Sequence, residues 1–154
     1  PGGLRPPQLV GLQDVLPTLA ALTGRPLDHE VQGADLSAAL VGDESPVRDW
    51  FYAQCIDPPQ ASAMICDGRW KYCYAQRGGI EELYDLAEDP GELVNLASGG
   101  ADLAPWRERL IEQARAVGDE ALLDESSPTG LARRPLDRDA IADLPLGGMG
   151  WRWY

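Results

Sequence analysis

Residues 83–96 read Leu-Tyr-Asp-Leu-Ala-Glu-Asp-Pro-Gly-Glu-Leu-Val-Asn-Leu and carry the clearest structural signal in the chain. Residues 83–86 carry the apolar and aromatic side chains that close a β-strand. The Asp-Pro-Gly run at 89–91 predicts a turn, and Asn95 follows where a short polar side chain can bond nearby backbone groups. The stretch therefore predicts an edge strand that leaves a sheet through a defined corner.

The residues before this strand predict the rest of the sheet. Runs at 48–55, 62–66 and 69–76 have the length and the apolar composition of strands. The Asp-Gly dipeptide at 67–68 favours positive φ at both central positions of a type I′ turn, so it predicts a hairpin. The four runs together predict a four-stranded antiparallel meander.

Helical patterns precede this predicted sheet. Residues 12–22 carry leucine and valine at helical spacing, with Asp14 as the expected N-cap and Gly24 after the last turn. A shorter helix is expected to follow Asp35 and to end at Gly42.

A further helix is expected after the sheet, over residues 102–117, with Asp102 as its cap and Gly118 at its end. Its apolar stripe is expected to cover one face of the sheet, which gives an α+β fold. Periodicity disappears afterwards, so residues 119–154 are expected to form an extended C-terminal tail. Its aromatic end, Trp-Arg-Trp-Tyr at 151–154, is expected to dock on a surface, and a homo-oligomer contact is one candidate.

The composition bounds the class of protein. With 154 residues, 44% of them hydrophobic and 25% charged, the chain has the composition of one globular domain, and it contains no apolar run long enough for a membrane span. A formal net charge of -12 disfavours binding to nucleic acid phosphates. The three cysteines, Cys55, Cys66 and Cys73, cannot all pair within one chain, which favours a cytoplasmic location over a periplasmic or secreted one.

Four blocks of sequence, in this order, resemble one family. They are Asp-Val-Leu-Pro-Thr-Leu at 14–19, Gly-Ala-Asp-Leu at 33–36, Asp-Gly-Arg-Trp-Lys-Tyr at 67–72, and residues 83–96. Together they resemble the C-terminal subdomain of the sulfatases, which are arylsulfatase-like members of the alkaline phosphatase superfamily.

This resemblance implies a division of the chain. Residues 1–46 would be a helical segment that continues from an N-terminal catalytic α/β domain, against which its helices belong. Residues 47–118 would be the C-terminal α+β subdomain, and residues 119–154 the tail. The catalytic domain is then the expected partner.

The resemblance also implies an activity for the whole enzyme. It is the hydrolysis of sulfate esters by a formylglycine nucleophile, with calcium stabilising the anionic oxygens. We expect this chain alone to contain no catalytic residue, no metal ligand and no cofactor, and we make no prediction about substrate-binding residues. One alternative is a phosphonate monoester or phosphodiester hydrolase of the same superfamily, and another is an independent binding or assembly module.

Several residues nevertheless suggest chemistry. The run Cys73-Tyr-Ala-Gln-Arg matches the Cys-x-Pro/Ala-x-Arg core in which sulfatases form formylglycine, but the Thr-Gly pair that continues the family motif is missing, and the position is a strand centre. The only histidine, His29, is a candidate catalytic base and is expected instead to be a solvated loop residue. The only lysine, Lys71, is a candidate contact for an anionic substrate and is expected instead to pack its stem while its amine reaches water.

Two sets of side chains complete the candidates. The aromatic stripe Trp70, Tyr72 and Tyr74 is expected to be core or interface before it is a ligand platform. The paired carboxylates suggest calcium ligation, yet none has the alternating acidic spacing of a dedicated loop, so a solvated acidic surface is expected. These pairs are Glu81-Glu82, Glu88-Asp89 and Asp119-Glu120.

Overall fold

One antiparallel sheet and one long helix organise the chain, as seen in a computed structural model that describes residues 8–55 and 61–135. The strands pair in chain order, so the sheet is a simple meander. The α+β fold predicted from the sequence is confirmed. The strands are β1 (Phe51–Cys55), β2 (Ser62–Cys66), β3 (Trp70–Ala75) and β4 (Ile80–Asp85), and the helices are α1 (Val15–Thr23) and α2 (Ala104–Val117).

The core lies between the sheet and α2. Tyr72 of β3 pairs with Ile65 of β2 on one side and with Leu83 of β4 on the other, so all three side chains lie on one face. Leu110 and Ala114 of α2 are fully buried in the same cluster. The predicted role of α2 as the cover of this face is therefore confirmed.

The core extends beyond α2. Residues 120–122 form a short 3₁₀ helix, and Leu123 makes an antiparallel bridge with Leu131. Leu122 and Leu131 are both buried in the main cluster. The predicted tail therefore contributes two core leucines as far as residue 135. Its aromatic end at 151–154 lies outside the described residues.

The β2–β3 hairpin forms where it was expected, but its turn differs from the prediction. Because Cys66 pairs with Lys71, the two central residues are Gly68 and Arg69. Only Gly68 has a positive φ, of 96°, which fits a type II′ turn and not the predicted type I′ turn. Asp67 instead accepts hydrogen bonds from the N–H groups of Arg69 and Trp70. The Asp side chain thus stabilises the turn from the strand end.

The helical segment before the sheet is only partly as predicted. The first helix is a 3₁₀ turn at Leu12–Asp14 that continues into α1 and ends at Gly24, whose φ is 64°. The predicted second helix is wrong in type, because only one 3₁₀ turn, Ala39–Val41, forms before Gly42. The Asp35 carboxylate accepts a hydrogen bond from the N–H of Ser37.

The predicted end of α2 is confirmed, because Gly118 follows the helix with φ of 76°. Its start differs from the prediction: the N-cap position is Leu103 and not Asp102, and the Asp102 carboxylate accepts a hydrogen bond of 3.0 Å from the N–H of Ala104 just before Pro105 in the first turn. No helix within residues 8–55 and 61–135 has the length and apolar character needed to cross a membrane.

Substituting Leu110 tests the position of the core. Leu110→Ala removes a fully buried side chain and is expected to lower the free energy of unfolding by about 2–5 kcal/mol. Leu93→Ala is the matched control, because Leu93 is 85% exposed and its truncation should change stability by less than about 0.5 kcal/mol. Urea denaturation followed by circular dichroism measures both, and equal losses would contradict this core.

Candidate functional site

Cys73 lies in the interior of β3, paired with Met64 on one side and with Glu82 on the other. Burial raises the pKa of its thiol to about 12, and the nearby Lys71 only partly opposes this. A thiol with so high a pKa is almost entirely protonated near neutral pH. The described contacts of Cys73 are those of a residue packed within the sheet.

His29 lies on the loop after α1, and its side chain is exposed. Its Nδ1 is 2.6 Å from an oxygen of the Asp28 carboxylate, which is itself exposed. Among the described residues, no serine or cysteine makes a hydrogen bond to the imidazole. The described contacts therefore do not assemble a nucleophile and base around His29.

The prediction that the amine of Lys71 reaches water is wrong. Its Nζ lies 2.7 Å from the Glu92 carboxylate, and its side chain is only 12% exposed. Glu92 is the only described residue other than glycine with a positive φ, of 53°. The ion pair thus holds the turn after β4 against the face of the sheet opposite α2, and Lys71 is occupied by a structural partner.

The aromatic stripe belongs to the core, as expected. Tyr72 and Tyr74 are buried, and the Trp70 ring lies 5.6 Å from the ring of Trp106 on α2. Trp50 makes an edge contact with the same Trp106 ring at 6.3 Å. These rings pack the sheet onto the helix and do not form an open platform.

Glu81 is the centre of a buried polar network beneath α2. It accepts a hydrogen bond of 2.5 Å from the Tyr72 hydroxyl, and Arg107 donates two bonds of 2.6 Å and 2.8 Å to its carboxylate. Burial tends to raise the pKa of Glu81, but the bonds from Arg107 and Tyr72 hold it below its usual value. The pKa of Tyr72 is raised, first by burial and then by Glu81. This carboxylate therefore links α2 to β3 and β4.

The other candidate carboxylates do not converge on one point. Asp89 accepts from the N–H of Val94 at 2.8 Å, and Asp119 accepts from the Tyr52 hydroxyl at 2.7 Å. Within residues 8–55 and 61–135, no group of three or more His, Cys, Asp or Glu side chains could hold a metal ion. The described carboxylates thus fit turn and core contacts better than a calcium site.

Asn95 makes the backbone bonds that its position predicts. Its Oδ1 accepts from the N–H groups of Leu83 and Ala97 at 3.1 Å and 2.9 Å, and its Nδ2 donates to the carbonyl of Glu81 at 3.2 Å. One side chain thereby satisfies one N–H and one carbonyl group on the outer edge of β4 and caps the 3₁₀ helix Leu96–Gly99. The block at 83–96 is a folding motif.

Asp14 has a role that the sequence did not reveal. Asp14 lies at the N-cap position of α1, as predicted, but its carboxylate makes no capping bond to α1. It is 1% exposed and accepts bonds of 2.7 Å and 2.5 Å from Arg48, in addition to bonds from the N–H groups of Gly11 and Ala34. A Cβ on Gly33 would lie 1.9 Å from the Gln13 carbonyl oxygen, so only glycine allows this approach.

Burial disfavours the charged form of Asp14, but the bonds from Arg48, Ala34 and Gly11 outweigh it and keep the pKa of Asp14 below its usual value. Arg48 also donates to the carbonyl of Leu9 at 2.8 Å. The Asp14–Arg48 pair therefore fastens the N-terminal segment to the start of β1. Only a sequence signal that pairs Asp14 with Arg48 across 34 positions would have revealed this contact.

Comparison with known proteins identifies what this fold resembles. The chain is 32% identical over 115 residues to the Delta 4,5-hexuronate-2-O-sulfatase of Bacteroides thetaiotaomicron, a match that covers 70% of this chain. It is 29% identical over 153 residues to human arylsulfatase A, covering 82% of this chain. A solved structure of a 2-O GAG sulfatase superposes on 71% of this chain with a TM-score of 0.51 and 29% identity.

These matches involve only a part of each relative. The chain spans 22% of the hexuronate sulfatase, 30% of arylsulfatase A, and 24% of the solved structure. No protein-family model matches the chain. The similarity is therefore to one portion of proteins that are much longer than this chain.

The Asp14–Arg48 pair makes a prediction about pH. Since the pKa of Asp14 is lowered on folding, its contribution to stability should be present above about pH 4, the usual carboxyl pKa, and should be lost as the pH falls through the folded pKa. Asp14→Asn should cost about 3 kcal/mol at pH 7, because the partly buried Arg48 loses its partner.

Urea denaturation at pH 7 and at pH 3 measures this effect. The difference in stability between the parent chain and Asp14→Asn should shrink at the lower pH. Asp28→Asn, at an almost fully exposed carboxylate, is the control and should differ little from the parent at either pH. An Asp14→Asn penalty that is independent of pH would contradict the interpretation.

Proposed function

Because this chain has the sequence and the fold of the C-terminal subdomain of a sulfatase, we propose that it is the C-terminal part of a sulfate ester hydrolase whose catalytic centre lies in a domain outside this chain. The observation that carries the proposal is the structural role of the family block. Lys71, Glu92 and Asn95 all bind one another or the backbone of the sheet. The residues that carry the resemblance thus serve the fold.

The exposed face of α1 supports a large partner domain. Leu12, before the helix, is 91% exposed, and the apolar side chains of α1 itself are about half exposed; these are Val15, Leu16, Leu19 and Leu22. An apolar face of this kind marks an interaction surface. In this proposal the surface packs on the catalytic domain, and the Asp14–Arg48 pair sets the orientation of α1 relative to the sheet.

The proposal places the formylglycine nucleophile and calcium in the catalytic domain. When present, they would supply the attacking oxygen and the stabilisation of negative charge. Cys73 does not fit the first role, because it lies at the centre of β3 with a partly buried thiol whose pKa is raised to about 12. This chain would contribute the scaffold against which that domain folds.

The substrate class follows from the similar proteins. The relatives described above are named as sulfatases, one of them acting on a hexuronate at its 2-O position and another as an arylsulfatase. We infer a sulfate ester as the substrate of the whole enzyme. Comparing the hydrolysis rates of an aryl sulfate and a sugar sulfate distinguishes the two kinds of ester.

An activity assay tests the proposal. We expect the polypeptide that joins this chain to its catalytic domain to hydrolyse 4-nitrophenyl sulfate or a 2-O-sulfated uronate, and the isolated chain to hydrolyse neither. Cys73→Ser in the joined polypeptide should leave the rate unchanged, and mass analysis should find an unmodified thiol at Cys73. Sulfate release and absorbance at neutral pH measure these outcomes.

Four results would contradict the proposal. Hydrolysis by the isolated chain, or an aldehyde at Cys73, would place the chemistry within these residues. Turnover of a phenylphosphonate monoester or a phosphodiester in place of sulfate would assign the chain to the alternative hydrolase. An isolated chain that is monodisperse and binds no ANS, despite its exposed α1 face, would favour an independent module.

A further inference from the structure

A polar groove lies where three parts of the described chain meet. Gln13 and Gln32 belong to the segment before the sheet, residues 50–54 include most of β1, and Gln113 and Val117 belong to α2. The groove has a volume of about 390 Å³. Small-molecule sites span about 300–1,000 Å³, so this groove has room for a small ligand.

Amides dominate the lining of this groove, and charge is nearly absent from it. Four of its described residues are glutamines, namely Gln13, Gln32, Gln54 and Gln113. Its described lining contains no carboxylate, although the chain has 25 Asp and Glu residues. Arg48 is the one charged side chain there, and the Asp14 carboxylate, which accepts two bonds from it, balances its charge. An uncharged ligand with many hydrogen-bonding groups therefore fits the groove better than a cation or an anion.

The chemistry of the lining matches a sugar. A glutamine amide both donates and accepts hydrogen bonds, as a hydroxyl group does, so one amide can bond neighbouring hydroxyls of a sugar ring. The aromatic rings of Trp50, Phe51 and Tyr52 add apolar surface against which the C–H groups of such a ring can pack. An extended peptide is selected instead by pockets for its alternate side chains, whereas this lining presents amides.

Contacts outside the groove hold two of its aromatic side chains in place. The Tyr52 hydroxyl donates a hydrogen bond of 2.7 Å to the Asp119 carboxylate. The Trp50 ring makes its edge contact with Trp106 at 6.3 Å, and the guanidinium carbon of Arg109 lies 5.0 Å from its centre. Side chains that are already fixed lose less entropy when a ligand binds. The groove is therefore largely formed before a ligand arrives.

From these observations we propose that this groove binds an uncharged unit of a carbohydrate chain. The glutamine amides bond the sugar hydroxyls, and the aromatic side chains of residues 50–52 pack against the sugar ring. This binding goes beyond the proposed hydrolysis, because it uses side chains of this chain alone and involves no reaction.

Nuclear magnetic resonance titration of the ¹⁵N-labelled 154-residue chain tests this proposal, with cellobiose, maltose and lactose as neutral disaccharides. We expect at least one of them to shift the side-chain amide signals of Gln32 and Gln113 and the indole signal of Trp50. The shifts should saturate with a Kd of about 1 mM, an affinity that a few neutral hydrogen bonds can supply. They should be the same at about 50 mM and about 500 mM sodium chloride, because salt screens interactions between charges.

Two variants each remove one amide, from different parts of the groove. Gln32→Ala, before the sheet, and Gln113→Ala, on α2, should each weaken binding about fivefold, which corresponds to one neutral hydrogen bond. Arg115→Ala is the matched control and should bind as the parent does, because Arg115 is an exposed residue of α2 outside the described lining. Circular dichroism checks the fold of each variant. Gln32 is exposed, so its truncation should leave the fold intact.

Four results would overturn this proposal. The first is the absence of saturable shifts with all three disaccharides, and the second is equal affinity of the parent and both glutamine variants. Shifts that disappear at the higher salt concentration would assign the groove to an anion. A peptide of Ser-Gly repeats that shifts these signals when the sugars do not would assign it to a peptide. None of these results depends on sulfate release, so the proposed hydrolysis is tested separately.

Discussion

Tyr72 is buried beneath α2, and the packing of the sheet against this helix is built around its side chain. Its ring fills the centre of the sheet, and its hydroxyl must have a partner because an unsatisfied buried donor is costly. Glu81 supplies the acceptor, and Arg107 balances the charge of that carboxylate. Three elements are therefore locked together by one hydrogen-bonded group: β3, β4 and α2.

The need to pair polar groups also explains the block at residues 83–96, which resembles the sulfatases. Lys71 pairs with Glu92, and Asn95 satisfies the outer edge of β4. The ion pair fixes the turn after β4, and Asn95 bonds backbone groups of β4 that would otherwise lack a partner at this edge. The polar groups of these residues are occupied by contacts within the fold. This agrees with the proposal that the catalytic centre of the hydrolase lies in a different domain.

The N-terminal segment is held to this unit by a different kind of contact. Asp14 and Arg48 form a largely buried ion pair, whereas the apolar side chains of α1 remain exposed. A polar contact with defined geometry fixes orientation, and an apolar surface provides area for a partner. The segment thus has the properties of a connector between this subdomain and the larger domain that we propose.

The strands, the cover by α2 and the helix ends at Gly24 and Gly118 could be predicted from the sequence alone, because period, turn residues and glycine φ preferences act over a few residues. The sequence also marked residues 83–96 as a structural motif. Local pattern could not reveal the contacts that join distant positions, namely the Asp14–Arg48 pair, the Lys71–Glu92 pair, and the burial of Leu122 and Leu131 after periodicity had ended.

Local sequence pattern also failed to predict two short-range features, the type of turn at Gly68 and the length of the helix before Gly42. In each, an Asp carboxylate accepts from a nearby backbone N–H, and the geometry differs from the one that the local pattern favoured. The long-range ion pairs and the buried leucines depend on the tertiary structure. The free energy of a buried charge or of an exposed leucine is set by the residues around it, and these come together only when the chain packs.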